Sequence, residues 1–210
     1  CPSPPATAKF DFDGDGKADI SRARIVTDPV GARNEIRVRK SSDTNSTEFS
    51  LGNGTGKLAP GDFNGDHKTD AAIFNAGTWT FLTGPNPGPT PSATPQTISL
   101  GTTGDIPIAA DYDGDGITDA AIYRPSTNTW WVKESSTSSV VGNGWGQAGD
   151  ILVPGDYDGD AKTDRAVWRP SNGIWYLNLS GGGTYTTTWG VAATDVAVPA
   201  DFDGDGKTDI

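Results

Sequence analysis

Cysteine occurs once, at Cys1, and histidine once, at His67. A single thiol excludes an intrachain disulfide. No run reaches the roughly 18 apolar residues that a membrane-spanning helix requires, so no transmembrane span is expected. Basic residues are outnumbered, 16 Lys and Arg against 27 Asp and Glu, for a formal net charge of -11. That balance repels nucleic acid and anionic membranes, so neither is expected as a partner. Helices of useful length are missing too, because 28 Gly and 15 Pro punctuate the chain and both disfavour helix interiors. There is no repeated Ser/His/Asp constellation, and an enzyme is the weakest of the functional readings.

The acidic residues are concentrated in one loop written five times, beginning at Asp11, Asp62, Asp111, Asp156 and Asp201. A motif that returns every 45–50 residues or so marks a repeat architecture rather than one irregular domain. The first loop offers the side chains of Asp11, Asp13 and Asp15, the backbone carbonyl of Lys17 and the carboxylate of Asp19. Equivalent donors are Asp62, Asn64, Asp66, Lys68 and Asp70 in the second, and Asp111, Asp113, Asp115, Ile117 and Asp119 in the third. The fourth has Asp156, Asp158, Asp160, Lys162 and Asp164, and the fifth Asp201, Asp203, Asp205, Lys207 and Asp209.

Carboxylates at alternate positions of a tight turn can converge on one ion, and the interspersed glycines allow the positive backbone dihedrals such a turn needs. The seventh residue is Lys or Ile, so only its carbonyl suits a cation. An all-oxygen set of six or seven donors matches calcium, about five ions in all, one per loop; magnesium demands a tighter octahedron. Zinc is disfavoured because cysteine is absent from every loop and His67 is the only histidine. Asn64 keeps a neutral oxygen at the second site with weaker attraction. His67 and Ala161 stand at the sixth position, where the other three loops have Gly. The motif is not an EF-hand, which requires a bidentate Glu at position twelve; here that position holds Arg22, Ile73, Ile122 or Val167.

Between loops, short apolar and β-branched runs separated by Asn, Gly, Pro and Ser predict antiparallel strands joined by tight turns. The divisions are an N-terminal strand or cap at 1–10, repeats at 11–61, 62–110, 111–155 and 156–200, and a partial repeat at 201–210. Each full repeat reads as a four-stranded meander; in the fourth, Arg165–Pro170, Ile174–Leu179, Thr184–Trp189 and Val196–Ala200 are the strands. Trp79, Trp130, Trp131, Trp175 and Tyr176 recur in the second strand, where packing between sheets outweighs sugar-stacking. The first repeat is more charged and lacks Trp. Asp105, Asp150 and Asp195 each precede a loop by six residues and read as turn caps. A Pro-rich stretch, Gly84–Pro95, interrupts the second repeat as an exposed loop or a seam, with Thr90, Ser92 and Thr94 as O-glycosylation candidates. Asn45, Asn53 and Asn178 head weak N-glycosylation sequons. Cys1 is either a lipid-modified mature terminus or a processing boundary.

These loops, with Thr118–Ser126 (TDAAIYRPS), Thr163–Ser171 (TDRAVWRPS) and the run from Trp145 to Val153-Pro-Gly-Asp156, resemble the FG-GAP and VCBS-type calcium-binding repeats related to integrin α-subunit propellers. The resemblance implies an all-β, β-propeller-like fold of four-stranded antiparallel meanders with a calcium-binding loop between successive units. It also implies a secreted or cell-surface location and roles in adhesion, ligand binding or surface assembly. Four loop-to-loop units are fewer than such propellers usually close with. Three arrangements follow: self-closure, a piece of a longer propeller, or incomplete terminal strands completed by neighbouring subunits. The expectation favoured is an extracellular calcium-stabilised structural protein in a cell-surface or filamentous homo-oligomer. The alternative is an adhesin or a glycan- or protein-binding propeller.

Overall fold

The computed structural model describes residues 10–29, 31–43, 46–83, 94–191 and 195–210. Cys1, the Ala8–Lys9 part of the expected first strand, Asn45, most of the Pro-rich stretch, and Thr90 and Ser92 lie outside them. No helix occurs among the described residues, and none is long and apolar enough to cross a membrane. The strands form four antiparallel sheets of three or four strands. The chain divides into two compact units, Cys1–Ala109 and Ala110–Ile210.

The first unit holds β1 (Ile20–Asp28), β2 (Gly31–Arg39), β3 (Ser46–Leu51), β4 (Lys57–Leu58), β5 (Ala71–Asn75), β6 (Thr78–Leu82), β7 (Gln96–Ser99) and β8 (Ile106–Pro107). Strands β1–β2–β3 make one sheet and β4–β5–β6–β7 another. The second unit holds β9 (Ala120–Arg124), β10 (Thr129–Lys133), β11 (Val140–Gly144), β12 (Ile151–Leu152), β13 (Arg165–Arg169), β14 (Ile174–Asn178) and β15 (Thr184–Thr188). There β9, β10 and β11 pair in sequence, as do β12 to β15.

Burial follows the residue pattern strand by strand. The strand after the second, third and fourth loops, AAIFN in β5, AAIYR in β9 and RAVWR in β13, is buried along almost its whole length, as expected of an apolar strand covered on both faces. The next strand alternates: in β10 and β14 every second residue is buried, the period-two signature of a half-covered strand. The third strands, β7, β11 and β15, are largely exposed edges. In the first sheet β1 is exposed along most of its length, which fits the charge of that repeat. Arg24 and Arg37 flank the buried Glu35 carboxylate at 2.7 and 3.0 Å.

Sheets pack through these apolar faces. In the first unit Ile36, Val38, Phe49 and Leu51 of the first sheet meet Ala71, Ile73 and Leu82 of the second, with Phe12 between. In the second unit Val153, Ala166, Trp168, Trp175 and Leu177 form a core. Trp79, Trp130 and Trp175 are buried, and each indole N–H donates to the carbonyl of Leu100, Trp145 or Trp189 just beyond the third strand. Each indole thus fastens the second strand to the exit of the third. Trp131 lies against Gly142 across the strand pair, and Tyr176 lies under the Arg169 guanidinium. These two are half-buried packing residues as well.

The sheets run one strand out of phase with the sequence repeats. The acidic loop turns the chain back, so the residues on either side of it become antiparallel neighbours: Gly61 with Asp70, Ala110 with Asp119, Gly155 with Asp164 and Ala200 with Asp209. The ladder continues outward as Leu58 with Ile73 and Leu152 with Val167. The second, third and fourth loops are therefore hairpins within a sheet, and the short strands β4, β8 and β12 that close one sequence repeat belong to the sheet of the next. Val196–Ala200, expected as a strand, is not one among the described residues, where it makes the Ala200–Asp209 bridge.

Candidate metal centre

Each loop is wound around its first aspartate. In the first, Asp11 Oδ1 accepts the Gly14 N–H at 2.6 Å and Oδ2 accepts the Gly16 N–H at 2.8 Å. Asp13 accepts from the Asp15 amide and Asp15 from the Lys17 amide, at 3.2 and 2.9 Å. The pattern recurs around Asp62, Asp111, Asp156 and Asp201. Asn64 takes the part of the third-position aspartate, accepting the Asp66 N–H at 3.0 Å, so the second loop keeps the common shape. The sixth residue is left-handed throughout. His67 and Ala161 adopt φ 63° and 65° where Gly16, Gly116 and Gly206 adopt 84°, 86° and 89°, a conformation that disfavours side chains by about 1–2 kcal/mol.

The ninth aspartate ties the loop to its sheet. Asp119 Oδ2 accepts the Tyr112 N–H at 2.8 Å, and Oδ1 accepts the Ser135 N–H at 2.7 Å. Asp19 does the same with Phe12 and Ser41, and Asp164 with Tyr157 and Ser180. These carboxylates, expected from the sequence only as ligands, also join the start of the loop to the turn between the second and third strands.

That turn supplies residues the sequence reading missed. Ser41 Oγ donates to Asp15 and Ser135 Oγ to Asp115, at 2.7 and 2.8 Å; Ser180 Oγ donates to Asp160 at 2.8 Å. Ser42 and Ser136 hydroxyls donate to Asp13 and Asp113. The available signal was a serine two residues after the second strand in three repeats. Asp105, Asp150 and Asp195 cap turns as expected, accepting from the amides of Thr102, Gln147 and Val191. Asp150 also receives both Nε and Nη2 of Arg169, at 2.8 and 2.9 Å.

The loops gather carboxylate oxygens closely enough to hold a metal ion. One oxygen from each of Asp11, Asp13 and Asp15 lies within 4.8 Å of the others, as in Asp111, Asp113 and Asp115. The same holds for Asp156, Asp158 and Asp164, and for Asp201, Asp203 and Asp209. All these donors are hard oxygens held by backbone amides, a set that fits a hard divalent cation.

Burial and mutual repulsion raise four of the loop carboxyls. Burial pushes Asp70 up to about 7, against the Phe63 amide, with Asp66 and Asp62 adding repulsion. Asp119 is pushed up to about 6 by burial, against the amides of Tyr112 and Ser135 and with Asp113 adding repulsion. Asp111 and Asp164 move in the same direction, again chiefly through burial. The folded protein therefore holds protons that the unfolded chain, with a carboxyl pKa of 3.8, has released. Stability of the metal-stripped protein is expected to fall as pH rises from about 4 to 7. Thermal melts of stripped protein should give a higher Tm at pH 5 than at pH 8; a Tm that climbs with pH overturns this.

The family model for the FG-GAP-like repeat matches residues 62–122 and 156–210, more than half of the chain. The chain belongs to this family. The two matched segments begin on the first aspartates of the second and fourth loops and run through the third and fifth. No curated protein matches the sequence. Among solved structures, one described as "Crystal structure of BBS1N in complex with ARL6DN, soaked with lead" is similar at 8% identity and a TM-score of 0.37. The similarity covers 80% of this chain and 67% of that chain. The FG-GAP-like loops matched here are hairpin connections between antiparallel strands.

Proposed function

We propose that this chain is an extracellular, calcium-stabilised structural protein, a non-enzymatic subunit of a cell-surface or filamentous assembly, with calcium at each of the five loops. The observation that carries the calcium reading is the convergence of three carboxylate oxygens within 4.8 Å in four loops, on a shared backbone scaffold. The first, third, fifth and ninth side chains and the seventh carbonyl would hold the ion, Asn64 standing in at the second site. Bound calcium would supply positive charge that offsets the repulsion among these carboxylates. Loops of moderate affinity stay filled where calcium is near millimolar, which favours an extracellular setting.

An apolar surface on the second unit supports association with further copies. Val198 is 65% exposed, whereas Val153, its counterpart three residues before the fourth loop, is 4% exposed. Phe202 is 70% exposed against 8% for Tyr112 at the same loop position. Tyr185 and Trp189, exposed as well, line a cleft of about 510 Å³ together with Tyr157, Leu177, Leu179 and Ile210. Clustered exposed apolar side chains of this kind mark interaction sites. In calcium, sedimentation velocity should show concentration-dependent oligomers, and Trp189→Asp should shift them toward monomer. Monomers alone at every concentration would remove the assembly reading.

A second reading, a glycan-binding module, draws on a cleft of about 450 Å³ lined by Asn128, Trp145, Arg169 and Tyr176. Its mixture of aromatic faces and polar groups suits a sugar. A glycan array probed with calcium-loaded protein separates the two readings.

A further inference from the structure

Successive loops touch one another in the same way at three junctions. The eighth-residue amide of the later loop donates to the backbone carbonyl of the first aspartate of the earlier one. Thr69 donates to Asp11 at 2.6 Å, Thr163 to Asp111 at 2.7 Å and Thr208 to Asp156 at 2.6 Å. Beside each bond, the stem of the later loop's seventh residue lies over the fourth-position glycine of the earlier loop. A Cβ on Gly14 would sit 2.8 Å from Lys68 Cε, one on Gly114 2.9 Å from Lys162 Cγ, and one on Gly159 2.7 Å from Lys207 Cε. These glycines are left-handed as well, at φ 79°, 81° and 83°, so both the turn and the lysine stem require them.

From these contacts we propose that the metal loops are coupled within each unit, the second transmitting its occupancy to the first, the fourth to the third and the fifth to the fourth, each through the peptide between its seventh and eighth residues. This rests on the calcium reading above and deepens it. A trans peptide is planar, with its C=O and N–H pointing in opposite directions. In the Lys207–Thr208 peptide the carbonyl is the backbone donor assigned to the fifth site, and the N–H holds Asp156, the first ligand of the fourth. Drawing electron density from a carbonyl polarises its own N–H and strengthens the hydrogen bond that N–H donates. A filled fifth site therefore secures Asp156, whose carboxylate is already held by the Gly159 and Ala161 amides at 2.6 and 2.8 Å.

The side chain of the seventh residue packs at the same junction, the Lys207 stem crossing the earlier loop at Gly159. The seventh residue thus has two assignments: its carbonyl serves its own loop and its side chain serves the one before. Coupling of this kind is reciprocal, so the fourth site also favours filling of the fifth.

The test follows the Gly159 amide of the ¹⁵N-labelled full chain through a calcium titration. In Asp203→Asn/Asp205→Asn, which cripples only the fifth loop, the Gly159 midpoint should rise at least about five-fold. Asp203→Asn alone keeps Asp201, Asp205, Asp209 and every backbone donor of the fifth loop, so it remains informative if the double variant folds poorly, and it should shift the midpoint the same way. Lys133→Gln, which removes a positive charge from β10 outside the loops, should leave it in place. An unchanged Gly159 midpoint in the fifth-loop variants overturns the coupling alone. A Gly159 amide in the unaltered chain that ignores calcium overturns the calcium reading with it.

Discussion

Stripping calcium from the full chain lowers its melting temperature by more than about 20 °C, and readdition restores it. The size follows from mass action: a site at a hundredfold excess of ligand over its Kd contributes about 2.7 kcal/mol. Several such sites together contribute about 10 kcal/mol, as large as the entire stability of a typical domain. For a chain of this size one kcal/mol moves Tm by roughly 2–4 °C. The structural reason is local: without a cation, the three oxygens gathered within 4.8 Å in each of four loops repel one another, and neutral amide and serine hydroxyl donors offset that only in part. Differential scanning calorimetry in calcium and in chelator makes the comparison at one pH. A Tm that differs by under about 3 °C, roughly one kcal/mol, would sink the structural-ion reading.

Asp119→Ala destabilises the protein by about 4 kcal/mol even in chelator. Asp119 is fully buried and accepts two amides, from Tyr112 and Ser135. Alanine leaves both donors unsatisfied, and each buried orphan costs about 1–3 kcal/mol. The raised pKa of Asp119 means that its ionised form is itself disfavoured in the metal-free fold, which trims the loss near neutral pH without removing the two hydrogen bonds. Asp119→Asn retains one acceptor and opposes the other amide with an N–H, so it falls between alanine and the unaltered protein. In calcium the alanine variant loses a ligand as well, and the gap widens. Urea denaturation reads the difference; a loss under about 1 kcal/mol in chelator is incompatible with two buried hydrogen bonds.

The loops were legible because their chemistry is local. Asp11, Asp13 and Asp15 announce themselves by spacing, and the turn they form is closed by amides within five residues. The strands were legible for a related reason, since WVK in β10 and WYL in β14 alternate with the pleat. Trp130 and Trp175 were read as packing residues, and both are buried. What the sequence concealed is long-range. Lys57–Leu58 is too short to show a period, and its pairing with Ile73 and Phe74 depends on the loop folding the chain back. Ser135 looks like an ordinary turn residue until the fold sets it beside Asp115 and Asp119.

The one-strand offset between sheets and sequence repeats gives folding a direction. As the chain leaves the ribosome or crosses a membrane, Lys57–Leu58 has no sheet to join until residues 62–70 have emerged and turned, and Ile151–Leu152 waits in the same way for residues 156–164. Each of the three four-stranded sheets is opened by residues made before its loop and completed by residues made after it. In these sheets the acidic turn is the event that releases the waiting strand into its place. Under the calcium reading proposed above, that event would also be when an ion becomes able to bind, so the order of synthesis would become the order of filling.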